Sequence, residues 1–143
     1  MFSELIQVSF DKIMQTRSYT VIILLGENKK FAIYTEPHIG KFLQSFLTDA
    51  TSVRPLSHEL IDKIFEGLDV RVKQVIIYDV QDTIYFARLF LEQDIYDPTS
   101  GRNIRHIIEI DARPSDCLTL ALMNNSPVYC TKKVLEETVA VEE

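Results

Sequence analysis

Alternating and β-branched positions dominate the first third of the chain. Residues 4–13 (ELIQVSFDKI) predict a first strand and residues 18–25 (SYTVIILL) a second. Gly26-Glu27-Asn28 is a turn signal, and Lys29–Thr35 predicts a third strand, joined to the second as a hairpin. The period then changes. Pro37 opens a helical pattern in which Phe42 and Phe46, and Leu43 and Leu47, recur at helical spacing along Gly40–Asp49. Asp49–Val53 is a polar break. A second helix starts within Arg54–Ile61, with Leu60, Ile61, Ile64, Phe65 and Leu68 as its apolar stripe and Gly67 near its end.

The pattern then runs again. Val70–Val80 predicts a fourth strand, Gln81-Asp82 a turn and Thr83–Leu91 a fifth strand. Asp94–Asn103, holding Asp97-Pro98 and Ser100-Gly101, reads as a loop before a sixth strand over Ile104–Ile110. A helix over Pro114–Asn124, a short strand over Pro127–Cys130 and a last helix over Thr131–Thr138 complete the chain. Thr131 is placed to cap that helix, with Val134 and Leu135 on its buried face. Tight turns between strands favour antiparallel pairing, so the expected class is α+β with a mainly antiparallel sheet and helices packed on it. Each half passes from a strand end through a bend to a Pro that starts a helix, at Pro37 and at Pro114. This predicts one domain, 1–143, built from pseudo-duplicated strand-strand-strand-helix units, 4–69 and 70–138.

Composition narrows the class. The 143 residues are 46% hydrophobic and 25% charged, which excludes a disordered chain. The longest apolar runs, Val21–Leu25 and Leu118–Met123, are too short to span a bilayer. Met1–Phe10 has no basic n-region and does not read as a signal peptide. Two cysteines, Cys117 and Cys130, make neither a disulfide framework nor a four-ligand zinc site. They are expected to be buried free thiols in a cytoplasmic protein. The net charge of −6 is spread over both halves and argues against avid, sequence-independent nucleic-acid binding. No G-x-G-x-x-G or Walker pattern supports nucleotide-cofactor chemistry.

Two segments concentrate polar groups beside apolar elements: Arg54-Pro-Leu-Ser-His-Glu59 and Asp111-Ala-Arg-Pro-Ser-Asp116. Arg54 and Arg113 offer planar forks for phosphate, and a helix N-terminus adds free N–H groups. His58, Glu59, Asp111 and Asp116 are the groups able to activate water or hold a hard divalent cation. The structural alternative is ordinary helix starting: Pro in the first turn with Ser and a carboxylate behind it. Glu59 and Asp116 would then complement helix dipoles, and Asp111 with Arg113 would form an ion pair bracing the bend.

The two motifs in this order, some fifty residues apart, followed by an apolar helix with Ala121-Leu122 and by Pro127-Val128-Tyr129, resemble the bifunctional nuclease domain family. That family reads Arg-Pro-x-Thr-His-Asp-Leu, then Asp-Ala-Arg-Pro-Ser-Asp-Ala, and the likeness extends over residues 4–138. It implies an α+β homodimer acting on RNA and DNA. His58, Glu59, Asp111 and Asp116 would be catalytic, and Arg54, Ser57, Arg113 and Ser115 would contact substrate. Asp111 and Asp116 are the candidate ligands of a divalent cation (Mg or Mn). Ser57 for Thr and Glu59 for Asp keep the functional groups. Ile39 stands where the family carries a Glu, in a segment, Thr35-Glu36-Pro37-His38-Ile39-Gly40, that departs from the family pattern; its loss weakens a metal site there, with Glu36 or His38 as the nearby groups that could substitute. Two functions compete: metal-dependent phosphodiester hydrolysis, and a non-catalytic dimeric binding or regulatory module with an anion pocket. The acidic charge and Ile39 favour the second, the motifs the first.

Overall fold

The computed structural model describes residues 4–47 and 57–141. Seven strands form one sheet: β1 Leu5–Gln15, β2 Thr20–Gly26, β3 Lys29–Thr35, β4 Val70–Gln81, β5 Ile84–Asp97, β6 Arg102–Ala112 and β7 Val128–Thr131. The described helices are α1 Pro37–Leu47, α2 Ser57–Gly67, α3 Pro114–Asn124 and α4 Lys132–Glu137. The sheet order is β3-β2-β1-β7-β4-β5-β6. Its pairs are antiparallel except β4 with β7. The class is therefore α+β, as the turns predicted. Two meanders, β1-β2-β3 and β4-β5-β6, are joined through β7, whose four residues form the seam between them.

The sheet is strongly curled. Phe31 of β3 stacks on Tyr85 of β5 with ring centroids 5.8 Å apart. Those strands are five positions apart in the sheet, roughly 24 Å if it were flat at ~4.8 Å per strand. Curling brings the β3 edge round toward β5 and encloses α3. Register breaks at Phe10/Lys12 in β1, and at Val72/Gln74 and Ile77/Asp79 in β4, supply part of the bend. Helix α3 accordingly has no polar stripe. Ser115 and Cys117–Ala121 are all buried, and Cys117, Leu118 and Ala121 are fully shielded. The buried Thr119 hydroxyl is satisfied by donating 2.7 Å to the Ser115 carbonyl. Asn125 closes the helix in the left-handed conformation, φ 52°, its N–H turned back to Ala121 and Leu122.

Several expectations change. Asp94–Asn103 is not a loop: β5 runs on to Asp97 and β6 begins at Arg102, leaving 98–101 as the turn. Asp94, Ile95 and Tyr96 pair with Arg105, Ile104 and Asn103, so ladder bonds rather than local propensity extend both strands. Gly101, at φ 72°, supplies the left-handed residue this tight turn needs. Thr131 caps α4 as predicted, its hydroxyl oxygen accepting the Val134 N–H. Cys117 and Cys130 are free and buried. No described helix is long and apolar enough to cross a membrane. The start of the second helix at Arg54, Pro55 and Leu56 lies outside the described residues.

Candidate functional site

Three segments remote in sequence meet at the N-terminal end of α3. The chain leaves β6 at Ala112, and Arg113 takes an extended conformation (φ −63°, ψ 141°) before Pro114 sets the first helical turn. Asp116, in that turn, is reached from both sides. His58 Nε2, at the start of α2, lies 2.8 Å from its Oδ1. Arg113 donates through Nε to Oδ2 at 2.9 Å and through Nη2 to Oδ1 at 3.2 Å. The remaining arm of Arg113, Nη1, donates to Glu36 Oε1 at 2.5 Å, in the bend between β3 and α1. The other Glu36 oxygen accepts the Thr35 hydroxyl. The result is a chain His58–Asp116–Arg113–Glu36.

Its protonation states follow from this geometry. Burial pushes the Asp116 carboxyl up, but the bonds from Arg113 and His58 outweigh it and hold the group below its ordinary value. A carboxylate held ionised only accepts, so His58 donates to it from Nε2. Glu36 is lowered to about 2, first by the Thr35 hydroxyl and then by Arg113. The Asp116 and Glu36 bonds in turn drive the Arg113 guanidinium further from deprotonation. Buried His58 also stacks on Phe42 of α1, ring centroids 6.3 Å apart.

Asp111 stands apart from this chain. It lies opposite Arg88 on β5, in the strand face that alternates with buried Ala87 and Leu89. Its Oδ1 accepts the Tyr78 hydroxyl at 2.9 Å, and the Arg88 guanidinium sits 5.0 Å over the Tyr78 ring. The ion pair expected between Asp111 and Arg113 is not formed; Arg113 pairs with Asp116 and Glu36 instead. Asp111 and Arg113 nevertheless border one open groove of about 900 Å³, walled by Tyr34, Glu36, Ile84 and Phe86. Ser115 also borders it, with its residue buried. Ser57 is exposed at the start of α2 and Glu59 is half-buried one residue beyond His58. Arg54 lies outside the described residues.

Among the described residues no three His, Cys, Asp or Glu side chains converge to hold a metal ion. Asp116 and Glu36 have their oxygens engaged by Arg113, His58 and Thr35, and Asp111 faces Tyr78. Among the described residues, this donor set does not fit a cation held by protein side chains alone.

Glu36 is the site residue that the motifs do not carry, and Ile39 is the one they misdirect. Ile39 is 3% exposed and belongs to the hydrophobic core. Glu36, three residues earlier, supplies the carboxylate that reaches Arg113. Tyr78 was not legible either, since a Tyr within a strand gives no sign of what it faces.

Fold and site together define an α+β domain with a polar chain at the head of an enclosed central helix, beside an acidic, aromatic groove. Residues 22–143 match the bifunctional nuclease domain, and the chain belongs to that family. Two curated relatives are uncharacterised proteins of Mycobacterium tuberculosis, MT1877 of strain CDC 1551 / Oshkosh and Rv1829 of strain H37Rv. Each is 31% identical over 84 residues, 59% of this chain and 43% of the relative. The match thus spans less than half the length of these relatives.

Proposed function

We propose that the chain is a nuclease-type phosphodiesterase whose reaction takes place in the groove at the head of α3. The observation that carries this reading is the position of Arg113, which borders the groove while Asp116 fixes two of its three donor nitrogens. A phosphate oxygen would displace Glu36 from Nη1, leaving the Asp116 fork intact to hold the guanidinium in place. Asp111, exposed at the groove wall and steadied by Tyr78, is the base that takes a proton from the attacking water. His58 and Asp116 are positioning residues, and Ser57, Glu59 and Ser115 lie in the first turns of the same two helices. The substrate class is single-stranded RNA or DNA, whose unstacked bases suit the exposed Tyr34 face. Solution metal, Mg²⁺ or Mn²⁺, would enter with the substrate phosphates rather than sit in a preformed cage.

The test is cleavage of labelled single-stranded RNA and DNA by purified protein with Mg²⁺, Mn²⁺ or chelator. Asp111→Asn is expected to lower the rate about a hundredfold or more, the lower range for losing a general base. Cleavage that survives unchanged in that variant overturns the reading. Metal dependence is decided by the chelator arm alone.

A second reading is favoured by a specific observation. Arg113 is fully engaged by carboxylates, and Glu36 and Asp111 outweigh Arg113 along the groove, leaving it a net negative charge that repels phosphate. On that reading the chain is a non-catalytic, self-associating module in which the motifs brace the fold. Absence of cleavage with every metal, together with a homodimer in sedimentation, would establish it. Both readings place the protein in the cytoplasm, where buried free thiols persist. Both also carry the repeat of 4–69 and 70–138, which superposition of the two meander-helix units would test.

A further inference from the structure

The turn between β1 and β2, residues 16–19, reaches the rim of the groove with groups that neither motif carries. Thr16 locks it. Its N–H donates to the Tyr19 carbonyl at 2.8 Å, and its hydroxyl donates to the same carbonyl at 2.9 Å. The hydroxyl oxygen accepts the Ser18 and Tyr19 N–H groups at 3.2 and 3.0 Å. Ser18 borders the groove together with Glu36, Asp111 and Arg113. Tyr19 lies edge-on to Tyr34 of the groove wall, ring centroids 5.5 Å apart and planes at 64°. The two rings are nevertheless 42% and 62% exposed. Arg17 is exposed in the same turn and has no ion pair among the described residues, whereas Arg71, Arg88, Arg105 and Arg113 are each held by carboxylates.

These groups match the parts of a nucleotide. A base stacks on an exposed ring whatever its identity, because every base has a π-face. A guanidinium with no carboxylate on it offers its whole fork to a phosphate, and no carboxylate has to be displaced first. Arg17 also changes the charge along the groove: with it, two guanidiniums stand against Glu36 and Asp111. The locked turn holds the set in place before substrate arrives, which lowers the ordering cost of binding. We propose that the 16–19 turn and Tyr34 form a second substrate subsite, which takes the nucleotide next to the scissile phosphate. Its base stacks on the Tyr19–Tyr34 pair and its far phosphate pairs with Arg17. The chain then holds two adjacent phosphates of a single strand, one at Arg113 and one at Arg17. This inference rests on the reading of the groove as the place of phosphodiester hydrolysis; the Arg113 contact belongs to that reading, and the turn is the added part.

The test is fluorescence anisotropy of a labelled single-stranded pentathymidylate with the parent protein in chelator, titrated with salt. Cleavage of the same oligonucleotide with Mg²⁺ or Mn²⁺ is measured separately. Arg17→Ala is expected to weaken binding and to lower the slope of log affinity against log salt by ~0.7, the share of one phosphate contact on a single strand. Arg102→Ala removes the same charge from an exposed position at the start of β6 and should leave the slope unchanged. Tyr34→Ala should weaken binding about fivefold or more at an unchanged slope, and Tyr34→Phe, which keeps the ring, should bind as the parent does. Circular dichroism checks that each variant is folded. A slope for Arg17→Ala equal to that for Arg102→Ala, parent-like binding by Tyr34→Ala, or a parent that binds no oligonucleotide overturns the subsite. Cleavage by the parent in any of those cases leaves the nuclease reading standing. The expected losses of binding, with no cleavage by the parent, uphold the subsite and remove the nuclease reading.

Discussion

Helices α1 and α3 begin alike and serve opposite ends. Both follow a strand end and a Pro, and the two starts lie side by side, joined by Glu36 and Arg113. Pro37-His38-Ile39-Gly40 is followed inward: Ile39 is in the core and Gly40 packs against Thr20 of β2. The buried Thr20 hydroxyl donates to the Glu36 carbonyl at 2.9 Å and accepts the Gly40 N–H at 3.0 Å, so α1 is capped from the sheet. Pro114-Ser115-Asp116 has no such side-chain cap. Its third residue is a carboxylate that turns to His58 and Arg113 instead. The difference teaches that the same local device can close one helix into the core and leave the other to build a polar chain. What decides is a single neighbour, Thr20 in one case and His58 in the other.

The comparison breaks most sharply at Ile39. Ile39→Glu puts a carboxylate into the core without a partner, and is expected to cost about 3–5 kcal/mol in urea unfolding. A loss below about 1 kcal/mol, within reach of surface substitutions, would mean that the α1 start can host a site as the α3 start does. Gly40→Ala is next. An added Cβ would lie 2.3 Å from Thr20 Oγ1 and 2.8 Å from its Cγ2, so the α1 start must shift off β2. Overpacking of this kind costs about 1–3 kcal/mol. Thr20→Ser/Gly40→Ala removes the Cγ2 methyl but keeps the closer Oγ1, and should recover only part of that loss.

Asp116→Asn sharpens the α3 side. The amide keeps an acceptor for His58 or Arg113 but loses its charge, and thermal unfolding should report a loss of about 1 kcal/mol, in the range of one hydrogen bond. Acid gives a smaller and more gradual effect. Glu36 falls from 4.5 unfolded to about 2 folded, and Asp116 is also lowered. The unfolded chain then binds more protons between those values. The stability these carboxylates contribute is whole above about 4.5 and is lost as pH falls toward about 2. Glu36→Gln should flatten that part of an acid titration followed by circular dichroism; an unchanged profile would detach Glu36 from the chain. Smallest of all is thiol chemistry. Burial pushes Cys117 up to about 12 and Cys130 up to about 11, so neither should react with a thiol reagent at neutral pH until the protein unfolds.

Much of the fold was legible locally. Alternation and turn residues place every strand start from β1 to β7 within a few residues, and Thr131 marks the α4 cap. Where reading failed, long-range pairing was responsible. Asp94–Tyr96 carries loop-like charge and polarity, yet the ladder to Asn103–Arg105 holds it extended. The site was half legible. Asp116 and His58 stand out by motif, but their contact spans 58 residues, and nothing in either segment predicts that Asp111 turns to Tyr78 while Asp116 takes Arg113.

The sequence by itself determined the α+β class, the two meanders, the proline starts of α1 and α3, and membership of the bifunctional nuclease domain family. Those are properties of short segments, where side-chain period and backbone preference act over a few residues. Tertiary structure alone decided that β7 sits between β1 and β4, that the sheet curls until Phe31 meets Tyr85, and that α3 is enclosed. It also decided that Glu36, and not the residue at position 39, is the carboxylate on Arg113. The reason is that curling places a strand end from each meander against the other, and side chains find partners by distance in space, which local pattern does not encode.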